Sequence, residues 1–468
     1  MTRESTCTET LAEFAVNLKY EDIPKDIVHK AKILMLDYIG DVLRGFRLED
    51  SQNILSGILE LDKSSEATIW RLGRKISCPG AAMANIAAGE SAELNGGPVM
   101  SFPGCVTSII AVAEKEKISD GRRIIASFVT GYEVGWRPFA ATNPQTVHFK
   151  RGFYHSGIYN PFCHVAAVCK LLELNKEQTT WAYGLAGASG TGTFQGFREG
   201  IRDKIFYCAR AGETGILAAY MAKNGVKGAS KIIESDVGGY LKCYSDPDYD
   251  IKMATHKLGK EWWTKYGRIK LVSGCIHTHS SVDAVLKLMQ KDENMGFNNV
   301  EKIVAKVSEE ENAICGSWRP VPVKSQFEIQ FSIPYMVSLA LKYRRRPRPE
   351  DYSLDVLRDE KVAEVARKVE VIPDRELTET KGKTGYSALP PFYCPCIMTV
   401  RTKDGKEHTI EVERPRGTYP DDASDEEIFD KFRNVRFILS EAKVEKIIST
   451  VMELERLQDV DGLTKLFY

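Results

Sequence analysis

A chain of 468 residues with 64 basic and 64 acidic side chains has no formal net charge, which excludes a general nucleic-acid binder with its basic excess. Hydrophobic residues at 43% and charged residues at 27% are those of a folded globular protein, and the length allows two or three domains. No window approaches the roughly 18 uninterrupted apolar residues of a membrane span. The N-terminal stretch MTRESTCTETLAEF lacks the basic start and apolar run of a signal peptide, so no membrane association and a cytoplasmic location are expected. The 11 cysteines include no CxxC pair, only a lone Cys394-Pro-Cys396, and are expected as reduced thiols.

The first 240 residues or so read as helices without convincing strands. Thr6 and Glu9 have capping-box spacing, and Leu11, Phe14, Ala15 and Leu18 follow the helical period. Val28, Ala31, Met35, Ile39 and Val42 form a second stripe closed by Gly45. AAMANIAAGESAEL, TSIIAVAEKEK, PFCHVAAVCKLLEL, QTTWAYGLAGAS and ARAGETGILAAYMAKNG continue the pattern, with small residues suited to close helix packing. Near residue 268 the texture changes. VEKIVAKV puts Ile303, Ala305 and Val307 on one face, and VARKVEVIPD alternates likewise. CIMTVRTKDGKEHTIEVERP reads as a hairpin turning at Asp404-Gly405, while FSIPYMVSLALKY between these runs reads as a helix. After residue 414 the chain becomes helical again through EAKVEKIISTVMELERL. The expected fold is mainly α: a large helical domain, residues 1–267 and 415–468, interrupted by a smaller α/β domain at 268–414.

Several motifs fail. GASGTGTFQG spaces its glycines at 190, 192 and 196 with no preceding strand, so it is not a dinucleotide turn. GKT at 382–384 lacks the first glycine of a phosphate loop, since Leu377 stands there. The basic run Arg344, Arg345, Arg346, Arg348 reads as a solvated loop. KLVSGCIHTHSSVDAVL raises three alternatives. On a strand, His277 and His279 would point to one side with Cys275 in the same parity, as a metal site needs. Acid–base work and a purely structural role are the other two. The cluster is placed at a strand-to-helix turn, with Ser280 or Ser281 as the helix cap.

In order and spacing, LAEFAVNLKYEDIPKDIVHKAKILMLDYIGDVLRG, ANIAAGESAELNG, VTGYEVGWR, RGFYHSG, LAGASGTG, DKIFYCARAGETGILAAYMAKNG, KLVSGCIHTHSSVDAVL, QFSIPYMVSLAL and VERPRGTYPDDASDEEIFDKFRNV together resemble the MmgE/PrpD family over nearly the whole chain. The resemblance implies a large helical domain with a smaller α/β lid, a homodimer, and an active site in the cleft between the domains. It also implies a small polycarboxylate substrate and no metal or organic cofactor. The implied chemistry is removal of a proton, or of CO2, next to a carboxylate, with cations and hydrogen-bond donors holding the enolate-like charge.

Carried over by position, Lys204 and Lys270 fall on two family lysines and His279 on a family histidine, while Cys275 stands where the decarboxylases have histidine. Tyr154 occupies a frequent histidine position, with His155 displaced by one. Glu93 falls on the first of the usual aspartates; Asn95, Gly96, Gly97 and Phe102 replace other customary polar residues. Tyr154 or His155 is then the expected acid–base group, Lys204 and Lys270 the charge stabilisers, and His279 a proton-transfer partner. Glu93, Arg151, Arg210, Cys275 and His277 are expected to bind substrate, the arginines through two-pronged carboxylate contacts. A hydro-lyase of the 2-methylcitrate dehydratase type leads. An epimerase follows, then a decarboxylase, then a non-catalytic member of the fold.

Overall fold

The computed structural model describes residues 5–97, 102–316, 321–381 and 393–468. The chain forms two compact units, residues 1–269 with 424–468, and residues 270–423. The GKT tripeptide lies outside the described residues.

Local signals explain how the first unit begins. Thr6 and Glu9 form a reciprocal capping box on helix Cys7–Asn17, satisfying amides that the helix itself leaves unpaired. Helix Lys25–Gly45 buries Val28, Ala31, Met35, Ile39 and Val42 as its period requires. It packs against helix Cys78–Ser91, on which helix Lys204–Lys223 also lies. Helix Lys204–Lys223 in turn packs against helix His155–Leu171, the partner of helix Gly121–Ala141. The last two approach closely because Gly131 and Gly135 face Cys163 and Ala167. A Cβ on Gly135 would stand 2.5 Å from that of Cys163. The helical reading of this region needs one amendment: β1 (Ala67–Thr68) and β2 (Lys75–Ile76) pair as a short antiparallel hairpin.

The chain returns to this unit after residue 423. Helices Asp425–Arg433 and Glu441–Met452 both pack on Lys25–Gly45. Lys431, only 9% exposed, fixes the return. Its ammonium donates to Asp37 at 2.5 Å and to the Leu94 carbonyl at 3.2 Å, and lies 3.5 Å from Asp41. Arg44 donates back to the Lys431 carbonyl. Losing one partner strands buried charge, at a cost of about 3–5 kcal/mol. Lys431→Met should therefore lower stability by about that amount in urea unfolding, and Lys431→Met/Asp37→Asn should lose less than the single variant.

The second unit is built on a four-stranded sheet in the order β4-β3-β5-β6. Its strands are β3 (Val300–Val307), β4 (Val369–Pro373), β5 (Cys396–Thr402) and β6 (Glu407–Val412). β3 runs parallel to β4 and antiparallel to β5, and β5 and β6 form the expected hairpin. Gly405 turns it at φ 84°, a conformation glycine adopts without a Cβ penalty. Ile303, Ala305 and Val307 are buried on one face, as alternation predicted. VARKVEVIPD divides differently: Val365 to Arg367 end helix Glu360–Arg367, and the strand begins only at Val369. The basic run is also not simply solvated. Arg345 pairs with Asp351 at 2.6 Å, Arg346 with Asp283 at 2.8 Å, and Arg344 donates to the Met295 carbonyl.

Candidate active site

In the first unit, helix Cys78–Ser91 ends just before Glu93, which is completely buried and held at φ 50°. A left-handed glutamate is an uncommon and strained backbone state, of the kind that concentrates at functional positions. Its carboxylate accepts a hydrogen bond from Lys204, which opens helix Lys204–Lys223 and is 2% exposed. Burial alone would lower the Lys204 ammonium, but the charges of Glu93 and Glu90 hold it above its ordinary value. Lys204 is therefore a fixed buried cation rather than a surface lysine. Asn95, two residues after Glu93, donates to Glu90.

One turn along the same helix, Tyr207 brings this pair toward the RGFYHSG segment. The Tyr207 ring lies 5.6 Å from that of Tyr154, and its hydroxyl is buried without a hydrogen-bond partner among the described residues. Tyr154 stacks on His155 at 4.8 Å, and His148 lies 4.6 Å from His155. The segment is pinned by backbone bonds to the GASGTG loop: Tyr154 N–H to Gly192, Thr191 N–H to Gly157 and Phe194 N–H to Gly152. Those glycines thus line a stacked aromatic cluster, with Phe194 5.3 Å from His148.

The two histidines define each other's protonation. The His155 backbone N–H donates to His148 Nε2 at 3.3 Å, so that nitrogen is an acceptor. His155 Nδ1, 2.5 Å from the same atom, then carries the shared proton. In the neutral imidazole, a proton on Nδ1 leaves His155 Nε2 as the nitrogen that can accept one. His155 also opens a 17-residue helix, whose N-terminal partial positive charge favours an anionic neighbour.

The carried-over arginines go elsewhere. Arg210 is exposed and pairs with Glu213 at 3.3 Å, the local partner three residues on. Arg151 is exposed and donates to the Asp246 carbonyl. Neither joins the buried cluster.

In the second unit, KLVSGCIHTH does not form a strand. Residues 268–275 are irregular, and helix Ile276–Lys291 starts within the motif with Cys275 as its N-cap. Ser280 and Ser281 lie inside the helix and do not cap it. Two residues along a helix turn through about 200°, so His277 and His279 diverge. His279 Nε2 donates to the Gly274 carbonyl at 3.2 Å, which also accepts from Lys270 at 3.0 Å. His277 Nδ1 instead lies 3.2 Å from Glu311 Oε1. Burial pushes the Cys275 thiol up, but a hydrogen bond to Cys315 and the charges of His277 and Lys270 outweigh it and bring it down to about 6. Gln330 and Pro347 carbonyls hold the Cys275 and Ser273 amides, setting the loop.

Sequence reasoning missed His148, Tyr207 and Glu311. His148 is seven residues before His155 in a π-helical turn, a periodicity no regular pattern exposes. Tyr207 stood at helical spacing from Lys204. Glu311 carried a readable signal as the last residue of the Ser308–Glu311 capping box.

Comparison with known proteins agrees over both units. The MmgE/PrpD N-terminal domain matches residues 9–252 and the MmgE/PrpD C-terminal domain residues 273–455. Cis-aconitate decarboxylase of Aspergillus terreus is 25% identical, over 99% of this chain and 96% of the relative. A cis-aconitate decarboxylase-like protein of Aspergillus oryzae is also 25% identical, over 99% and 98%. The cis-aconitate decarboxylase of Mus musculus is 23% identical, over 98% and 93%. With both domains matched across most of its length, the chain belongs to the MmgE/PrpD family.

Proposed function

We propose that the chain is a lyase acting on a small di- or tricarboxylate, moving a proton at a carbon next to a carboxylate without a cofactor. The observation that carries this reading is one continuous buried arrangement: the strained Glu93, the Lys204 cation, Tyr207, and the Tyr154–His155–His148 stack. His155 Nε2 is the base that takes the C–H proton, with His148 orienting its ring through Nδ1. Lys204 holds the negative charge that develops on the adjacent carboxylate. In a hydro-lyase, the Tyr154 phenol protonates the departing hydroxyl, so water leaves and a double bond forms.

Decarboxylation is the second reading, favoured by the names of the relatives. Against simple identity with them, Cys275, Tyr154 and Phe102 replace histidines that the family resemblance leads one to expect.

The test is a panel of di- and tricarboxylates incubated with the enzyme in deuterated water and followed by proton NMR. A hydro-lyase produces an olefinic signal with loss of water, and reversal labels the carbon next to the carboxylate. A decarboxylase releases CO2 and labels the carbon that carried it. An epimerase introduces deuterium while the skeleton and oxygen count stay unchanged. Absence of both conversion and label across the panel would overturn the catalytic reading.

A further inference from the structure

We propose that the second unit holds a thiophilic divalent cation, zinc being the natural occupant, on His277, Glu311 and Cys394. The inference is independent of the reaction assigned above, and it revises the expectation of no metal drawn from the sequence.

Three observations support it. First, one ligand atom from each of these side chains lies within 4.8 Å of the others, and all three residues are buried. Ligands on one tetrahedral zinc stand about 3.3–3.8 Å apart, given bonds of about 2.0–2.3 Å. His277 Nδ1 and Glu311 Oε1 are already 3.2 Å apart, so the set needs only a modest contraction toward a common centre.

Second, Glu311 is oriented as outer-shell contacts orient a metal ligand. Its Oε2 accepts from the Ser308 amide at 3.0 Å and from the Ser308 hydroxyl, which turns Oε1 toward His277. Third, the surroundings are buried and rich in soft and acidic donors. Glu310 and Glu311 are buried in succession, and Glu310 Oε1 has no hydrogen-bond partner among the described residues. Cys275, Cys315 and Cys394 are three buried thiols of the same unit. A thiolate, a carboxylate and an imidazole are the ligands that zinc takes.

The ligands come from three places: the first turn of helix Ile276–Lys291, helix Glu309–Cys315, and the entry to β5. No short spacing signature exists, and the sequence reading, which weighed only Cys275, His277 and His279 as ligands, expected no metal. His279 is turned to a backbone carbonyl instead.

The experiment uses the full-length protein, stripped with a chelator and dialysed. Titration with zinc against a chromophoric competitor should give one equivalent per chain. Cobalt substitution should give the near-ultraviolet thiolate-to-metal charge-transfer band. Cys394→Ser should abolish that band and weaken zinc binding at least tenfold, and Glu311→Gln should weaken binding while keeping the band. Cys243→Ser, at an exposed cysteine, should change neither. Circular dichroism of each stripped variant checks folding; if Cys394→Ser does not fold, His277→Gln takes its place and should likewise weaken binding tenfold. Less than half an equivalent bound, a cobalt spectrum without sulfur character, or undiminished binding by folded Cys394→Ser or His277→Gln overturns the proposal.

Discussion

Lys204→Ala is expected to lower turnover about a hundredfold to a thousandfold, the usual loss when one stabiliser of developing charge is removed. Lys204 sits beside Glu93, and deleting the ammonium removes a buried cation from that buried carboxylate. The single variant should therefore also be less stable. Lys204→Met/Glu93→Gln separates the effects, because the charge is removed from both partners: stability should recover while turnover stays low. Lys270→Ala, which removes the cation bonded to the Gly274 carbonyl, should show a loss of similar size. Steady-state kinetics and thermal unfolding of the four proteins decide the matter. Wild-type turnover by both single variants would remove the lysines from the reaction.

His155→Gln is expected to cost about a hundredfold to ten-thousandfold in turnover, the range of a positioned general base, and to abolish deuterium exchange next to the carboxylate. Tyr154→Phe deletes one hydroxyl and little volume. If the phenol is the acid for the departing hydroxyl, this variant should lose turnover yet still exchange label, because the base is intact. His148→Asn removes the group that holds the shared proton of His155. It should lower kcat more than it raises KM, since the base is misoriented rather than the substrate released. If Tyr154→Phe abolishes exchange and His155→Gln does not, the base is Tyr154 and the roles reverse.

Several elements were legible because their causes are local. The Thr6–Glu9 capping box, the stripe from Val28 to Val42, the parity of Ile303, Ala305 and Val307, and the Asp404-Gly405 turn each follow from sterics and hydrogen bonds within a few residues. The mainly helical fold with its small α/β unit, and the family, were legible for the same reason, carried by the order of many such segments. The candidate site was legible only as a roll of residues. Arg210 shows the limit: position pointed to substrate, but Glu213 three residues away is the partner that the helix supplies.

Tertiary structure decided the rest. Whether KLVSGCIHTH is strand or helix turned on the Gln330 and Pro347 carbonyls, which take the Cys275 and Ser273 amides and leave the helix to start at Ile276. That outcome sends His277 to Glu311 and His279 to Gly274. Lys204 and Glu93 are 111 residues apart, and only the packing of helix Lys204–Lys223 on helix Cys78–Ser91, which ends just before Glu93, brings them into contact. Sequence alone determined most of the helices, strands and turns, with KLVSGCIHTH, VARKVEVIPD and the short Ala67–Ile76 hairpin as exceptions, since backbone sterics and neighbouring side chains settle most of those choices. Which charges meet, and which of them are buried, depended on apolar faces closing over long stretches of chain, a cooperative outcome that no short window contains.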